Sequence, residues 1–149
     1  MQTLKIEIPT GFEVDSFDHS SGELKLRPKK GPVTEIKSVE ALLAYRGLTR
    51  ETFEADSSQL LPHEKAFRLL TMLAETLNEG WRPDWNNSNE MKYYAYFYMG
   101  GSAGFRFDDC GDWNSNSDVG SRLCFKTSAL AEQAGKHFLE VYRQFMVIE

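Results

Sequence analysis

The residues of this chain that could do chemistry are two cysteines and three histidines. The cysteines are Cys110 and Cys124, and the histidines are His19, His63 and His137. A cysteine acts as a nucleophile only when a nearby base takes its proton. The histidines are scattered, and no glycine-rich phosphate loop, CxxC pair or HExxH pattern accompanies them. The sequence therefore predicts no catalytic residue, no metal site and no cofactor. The alternative is a small hydrolase-like enzyme that uses a thiol or a carboxylate in a cleft.

One polar loop begins like a calcium-binding loop. Asp or Asn stands at positions 112, 114, 116 and 118, as the first ligands of an EF-hand loop do. The sixth position of the pattern is Ser117, where the turn needs glycine, and the twelfth is Leu123, where a bidentate glutamate is required. We therefore interpret this segment as an ordinary turn region rich in Asn and Asp.

The segment from Trp81 to Phe125 must position most of the aromatic side chains, including all three tryptophans. From Met91 to Met99 the odd positions are mostly apolar, while the even positions hold Lys92 and the tyrosines at 94, 96 and 98. A strand sends alternate side chains to opposite faces. The pattern therefore predicts a strand with one apolar face and one tyrosine face.

Two further strands are predicted after this one, because apolar and polar residues alternate again over Phe105–Asp108 and over Leu123–Phe125. Glycines at 100, 101 and 104 interrupt the pattern as a hairpin loop would. Three amphipathic strands in succession predict an antiparallel meander. In the N-terminal part, alternation over residues 4–8 and over residues 23–29 predicts two more strands.

Helical spacing of apolar residues predicts two main helices. The first runs from Pro62, which suits the first helical position, to Gly80, which suits the end. The second runs from about Ser128 to Met146. Shorter helices are predicted after Ser38 and around Phe53. The expected fold is α+β: a single domain over residues 1–149, in which the meander and the N-terminal strands form an antiparallel sheet covered on one face by the two main helices.

Composition limits the class of protein. The chain has 149 residues and a net charge of −5, which argues against a protein whose whole surface binds nucleic acid. No apolar run approaches the ~20 residues of a membrane span, so no membrane partner is predicted. The short, charged N-terminus does not resemble a signal peptide. A cytoplasmic protein with two reduced cysteines is therefore expected.

Two long runs of this sequence are distinctive: LNEGWRPDWNNSNEMKYY, and DVGSRLCFKTSALAEQAGKHFLEVYRQF. They resemble a family of uncharacterised proteins carried by phages, prophages and other mobile elements of the Bacteroides group, in which WKPDWNN-type and SRLCFK-type segments occur. The resemblance covers nearly the whole chain. It implies a mobile-element setting, and it supplies no catalytic residues because the family has no assigned activity.

The strongest candidate surface for binding is the tyrosine face. The predicted register places Tyr94, Tyr96 and Tyr98 beside Arg106, Arg122 and Lys126, and rings interleaved with cations suit the stacked bases of single-stranded nucleic acid. Sugar rings suit the same surface. The alternative is that this face packs against the N-terminal strands, or that tyrosine simply favours strands.

A second candidate is the pair Trp81 and Trp85, which follow the first main helix. They either line a pocket or lock the helix to the sheet. We conclude from the sequence that this is a binding or interaction module without an enzymatic activity of its own, and that its partner is nucleic acid or protein.

Overall fold

The computed structural model describes residues 3–100 and 104–148. Within these ranges the chain forms four strands, five α-helices and one short 3-10 turn. The elements are β1 (Phe12–Asp18), β2 (Glu23–Pro28), the turn (Val33–Glu35), α1 (Val39–Tyr45), α2 (Arg50–Asp56), α3 (Pro62–Asn78), β3 (Lys92–Tyr98), β4 (Arg106–Trp113), α4 (Ser128–His137) and α5 (Leu139–Met146). The class is α+β, as predicted. The chain divides into two compact units, Met1–Pro32 and Val33–Glu149, and the single domain stays a prediction.

The first unit contains an antiparallel hairpin of β1 and β2. The predicted strand over residues 23–29 is present as β2, but the strand predicted over residues 4–8 is wrong, because β2 pairs with β1. A bulge between Val14 and Ser16 explains the error. The extra residue brings Phe17 onto the same face as Phe12 and Val14, although their spacing in the sequence does not alternate.

The second unit contains the β3–β4 hairpin, which confirms both predicted strands by position, but β4 extends five residues beyond the predicted end at Asp108, to Trp113. Residues 101–103 of the predicted loop between them lie outside the described residues. The third strand of the meander is wrong: the segment forms only an isolated bridge, in which Tyr93 and Phe125 exchange hydrogen bonds of 2.9 and 2.7 Å. Gly120 turns the chain at φ 70° before the bridge, and Thr127 caps α4 just after it. Residues 121–126 form this one bridge and no strand.

The described residues therefore form two sheets of two strands each, where one sheet was predicted. In place of a third strand, the side chain of Asn78 holds the segment. Its amide nitrogen donates to the carbonyl oxygen of Cys124 at 2.9 Å, and its oxygen accepts from the backbone N–H of Lys126 at 3.0 Å. A buried side chain thus satisfies backbone groups that a neighbouring strand would otherwise satisfy.

The first three helices begin as their sequences predict. The Ser38 hydroxyl accepts from the N–H of Ala41 at the start of α1, and Thr49 caps α2 in the same way. At the start of α3, with Pro62 in its first turn, the Glu64 carboxylate accepts from the N–H of Leu61 at 2.7 Å. These contacts satisfy backbone donors that have no partner inside the helix.

The last predicted helix is wrong in one respect, because it breaks at Phe138 into α4 and α5. The backbone of Phe138 departs from helical geometry, with φ −116° and ψ 26°. The break lets the two halves pack in different directions: α4 lies against β3 and β4, whereas α5 packs mainly against α3. Gly135 permits a close approach of α4 to the sheet, since a side chain there would overlap the ring of Phe107.

The core lies between the β3–β4 hairpin and the helices. Leu73 and Phe138, which the sequence places at the centres of their helical stripes, are 0% and 2% exposed, so their burial is confirmed. The cover of the sheet differs from the prediction, because α4 lies on it directly while α3 packs behind, against α5 and α4. Across the described parts of the chain, no helix has the length and apolar character needed to cross a bilayer.

Candidate functional site

The β3–β4 hairpin presents a row of aromatic rings on the side opposite α4. We define the tyrosine face as Tyr94, Tyr96, Tyr98 and Arg106. Tyr98 and Arg106 are direct cross-strand partners, and the guanidinium of Arg106 lies 4.0 Å from the centre of the Tyr98 ring. The side chains of Tyr96 and Tyr98 are 53% and 41% exposed. The structure therefore brings together four of the predicted binding residues and leaves Tyr96 and Tyr98 exposed.

Tyr94 differs from the other two tyrosines because its ring is covered. It stacks on Trp113 with ring centres 4.4 Å apart, and it lies across from Gly111. Burial raises the pKa of Tyr94 above its usual value, and the neighbouring Tyr96 and two nearby aspartates add to the effect. This tyrosine supports the surface and offers little ring area to a partner.

The charge around the tyrosine face is more negative than the sequence pattern indicates. A bulge between Tyr96 and Phe97 shifts the register by one residue, so that Asp109, and not Asp108, is the partner of Tyr96. The carboxylates of Asp112 and Asp118 also lie close enough to affect the ionisation of Tyr94. Arg106 is the only cation that the described residues place over a ring of this face.

The alternation of β3 predicts that Lys92 lies on the same exposed face as the tyrosines. This prediction is wrong. Its side chain is fully buried. The ammonium donates to four backbone carbonyl oxygens, which belong to Asp84 (2.5 Å), Glu90 (2.7 Å), Asn114 (2.8 Å) and Asn87 (3.1 Å). A lysine ammonium has three protons, so the four carbonyls share them. Lys92 therefore ties the loop before β3 to the loop after β4.

Trp85 belongs to the same buried arrangement. The Lys92 ammonium lies 5.3 Å from the centre of a Trp85 ring, and the indole N–H of Trp85 donates to the Ser121 hydroxyl at 2.6 Å. These contacts hold the loop before β3 to Ser121 and Lys92, which is neither of the two functions that the sequence suggested for this tryptophan. The neighbouring Trp81 instead lines a cleft.

The segment after Gly120 does not contribute to the tyrosine face as predicted. Alternation over residues 122–126 predicts Cys124 on the polar face of the third strand, and the structure instead buries it fully. The ammonium of Lys126 lies 3.6 Å from the carboxylate of Glu79, and Arg122 lines the cleft beside Trp81. The predicted shared face required a third strand in register, and only one bridge forms.

The cleft at the C-terminal end of α3 has a volume of about 580 Å³. We call it the tryptophan cleft and define it by its lining residues, which are Thr71, Ala74, Glu75, Asn78, Gly80, Trp81, Arg82, Pro83, Ser121 and Arg122. A volume of this size lies within the range of about 300–1,000 Å³ that is typical of small-molecule sites. Sequence reasoning missed Arg82, although its position next to Trp81 in the WRP segment is a usable signal.

The two arginines of the tryptophan cleft are exposed, and neither forms a salt bridge with any residue that the structure describes. The nearby carboxylates have cations of their own. Glu75 lies 3.5 Å from the guanidinium of Arg46, and Glu79 pairs with Lys126. The cleft therefore carries two cations that no carboxylate of the described residues pairs with, in a chain of net charge −5.

The thiols are poorly suited to act as nucleophiles. Burial raises the pKa of Cys124 from 9.0 to about 11, and it also raises the pKa of Cys110. Both are free cysteines, and their sulfur atoms face the backbone carbonyls of Ser121 and Ser128. A raised pKa lowers the fraction of reactive thiolate, so this arrangement does not favour the hydrolase alternative.

In the polar loop after β4, side chains bond to neighbouring backbone. The Ser117 hydroxyl accepts from the N–H groups of Val119 and Gly120, and the side-chain oxygen of Asn114 accepts from the N–H of Ser115. These are turn contacts of the kind expected for a loop rich in Asn, Asp and Ser. No group of three metal-binding side chains is present in residues 3–100 and 104–148.

No family model, curated protein or solved structure matches this chain.

Proposed function

We propose that this chain is a binding module without chemistry of its own, and that the tyrosine face docks a basic segment of a protein partner. The observation that carries the proposal is the exposure of Tyr96 and Tyr98 beside Asp109, the cross-strand partner of Tyr96. A cation over an aromatic ring is attracted by the ring's electron-rich face. Arg106 over Tyr98 is an example within the chain itself.

Charge favours a protein partner over nucleic acid on this surface. Phosphates would meet Asp109, and two of the three cations of the nucleic-acid hypothesis, Arg122 and Lys126, lie elsewhere. An arginine or lysine side chain from a partner would instead find a ring to stack on and a carboxylate to bond. Aromatic residues are also common at the centres of protein interfaces.

The expected setting is cytoplasmic, and the two free thiols support it because disulfides form mainly in oxidising compartments. We also propose, from the sequence resemblance, that the protein belongs to a mobile element. A small protein of such an element can act through host or element proteins without catalysing a reaction.

The experiment is a fluorescence anisotropy titration with three labelled probes at low and moderate salt. The probes are a peptide of alternating arginine and glycine, the same peptide with glutamate in place of arginine, and a single-stranded oligothymidylate. We expect the basic peptide to bind, and Tyr96→Ala to weaken it about 5- to 30-fold, which corresponds to ~1–2 kcal/mol for a cation on a ring. Asp109→Asn should weaken binding as well.

Phe67→Ala is the matched control, because Phe67 is an exposed ring on α3. It should leave the affinity for the basic peptide unchanged. If the basic peptide does not bind, or binds equally well to Tyr96→Ala, the proposal is wrong. Binding of the oligothymidylate that depends on Tyr96 would instead assign this face to single-stranded nucleic acid.

A further inference from the structure

The tryptophan cleft lies outside the tyrosine face and has a different chemical character. Its wall includes the half-buried indole of Trp81, and its rim carries Arg82 and Arg122. The cleft is large enough to enclose a small molecule. We infer that it binds a nucleoside phosphate, with the base on Trp81 and the phosphate between the two arginines.

The phosphate part of this inference rests on the arginines. Guanidinium groups bind phosphate through paired N–H donors. Because neither Arg82 nor Arg122 is held by a carboxylate among the described residues, a phosphate would not have to displace an existing ion pair. The negative charges nearby, on Glu75 and Glu79, are already compensated by Arg46 and Lys126.

The inference that the ligand carries a nucleoside depends on three other lining residues of the cleft, Trp81, Ser121 and Glu75. An indole is a platform on which any base can stack, whatever its sequence. The Ser121 hydroxyl accepts from Trp85 and keeps its own proton for a ligand. Glu75, whose carboxylate is 60% exposed, can accept from a ribose hydroxyl. A free inorganic phosphate would use only the arginines.

The loop that carries Trp81 and Arg82 is already held in place before a ligand arrives. Lys92 binds the carbonyls of Asp84, Asn87 and Glu90, and Trp85 fastens the same loop to Ser121. A pre-ordered site loses less entropy when it binds. The buried lysine thus supports the cleft without contacting the ligand.

The test is isothermal titration calorimetry of the full chain with adenosine 5′-monophosphate, adenosine and inorganic phosphate, at 50 and 200 mM salt. We expect the nucleotide to bind at least ~10-fold more tightly than either part alone. The double variant Arg82→Ala/Arg122→Ala should weaken nucleotide binding by about 10- to 100-fold and reduce its salt dependence. Trp81→Phe should weaken it less, because a phenyl ring still stacks.

Arg106→Ala is the control that separates this cleft from the tyrosine face, since Arg106 is an exposed arginine on β4. It should leave nucleotide binding unchanged, whatever it does to the binding of a basic peptide. Thermal melts of every variant establish that it is folded; the two cleft arginines are exposed, so their replacement should not unfold the chain.

A second pair of probes distinguishes a free nucleotide from the end of a strand: a 5′-phosphorylated single-stranded pentamer and the same pentamer without the phosphate. If the phosphorylated pentamer binds, the ligands of the cleft include the phosphorylated ends of single strands. If the nucleotide binds and the phosphorylated pentamer does not, the ligands are free nucleotides only. The inference is overturned if neither the nucleotide nor the phosphorylated pentamer binds at millimolar concentration, or if the arginine variant binds them normally. Equal affinity for inorganic phosphate, or for the unphosphorylated pentamer, also overturns it.

Discussion

The ring of Tyr94 occupies the space where a side chain at Gly111 would stand. The two residues are direct partners across the β3–β4 hairpin, and a Cβ atom added at Gly111 would overlap the ring. Trp113 stacks on the Tyr94 ring with ring centres 4.4 Å apart. The glycine therefore allows the tyrosine to lie flat over the backbone, where it supports the row of exposed rings beyond it.

Replacing Gly111 with alanine should therefore destabilise the hairpin. We expect Gly111→Ala to lower the free energy of unfolding by about 1–3 kcal/mol, as overpacking usually does. Gly100→Ala is the matched control, because nothing lies within 4 Å of its added Cβ, and it should change stability by less than ~0.5 kcal/mol. Urea denaturation followed by tryptophan fluorescence measures both, and equal effects would show that Tyr94 does not cover Gly111.

Lys92 should be among the least replaceable residues of the chain. Lys92→Met keeps the aliphatic stem but leaves four carbonyl oxygens without their shared donor. Because each buried group left unsatisfied costs about 1–3 kcal/mol, stability should fall by about 3 kcal/mol or more. The control Lys136→Met removes an ammonium that is exposed and pairs with Glu132 on the surface, and it should have little effect. Denaturant melts in which the two variants behave alike would contradict the role of Lys92.

The helical stripes predict a large cost for truncating their central residues. Leu73→Ala and Phe138→Ala should each lower the free energy of unfolding by about 2–5 kcal/mol, because both side chains lie in the core. Ile148→Ala removes a fully exposed side chain and should be neutral within ~0.5 kcal/mol. A loss below ~0.5 kcal/mol for either core variant, in denaturant titrations, would mean that the packing faces are wrong.

Cys124 should react slowly in the folded chain. Its pKa, raised by burial from 9.0 to about 11, lowers the thiolate fraction at neutral pH by about 100-fold. In the variant Cys110→Ser, the reaction of Cys124 with a disulfide reagent at pH 8 should be far slower before unfolding than after it. The folded rate should increase as the pH approaches 11, where the thiolate forms.

The same raised pKa has a consequence for stability. The folded state holds this proton more tightly than the unfolded state does, so its contribution is fully present below pH 9 and is lost as the pH rises toward 11. Chemical melts of the Cys110→Ser variant across this range should show the decline, and the further replacement Cys124→Ser should remove that part of it. A fast reaction of the folded thiol at pH 8 would show that Cys124 is accessible and ionised.

Much of the fold follows from local sequence signals. Ser38, Thr49 and Pro62 mark helix starts because capping depends on the first turn alone. The alternation of β3 identifies a strand and its apolar face. Where two distant segments must meet, the signals are insufficient: a bulge in β1 hides its alternation, and the break at Phe138 reflects the separate packing of α4 and α5.

The candidate sites also combine features that local sequence predicts with features that only contacts between distant segments decide. The sequence alone identified Tyr96, Tyr98 and Trp81 as unusual, because aromatic rings in a strand or after a helix can be recognised without a structure. It could not determine which rings are exposed. Lys92 and Tyr96 have the same parity on β3, yet one is 0% and the other 53% exposed, because the loop of residues 81–90 covers only one end of the strand.

The sequence by itself determined the starts of α1 to α4 and the location of the two strands of the central hairpin, since these depend on neighbours within a few residues. Only the tertiary structure decided that Arg122 lines the tryptophan cleft with Arg82 and Trp81, and that Arg106 remains with the tyrosines. The physical reason is that one bridge at Phe125, held by Asn78 from α3, ends the sheet before a third strand forms. The contact of Asn78 with the segment around Phe125 joins residues more than 40 positions apart, so a local sequence pattern cannot predict it.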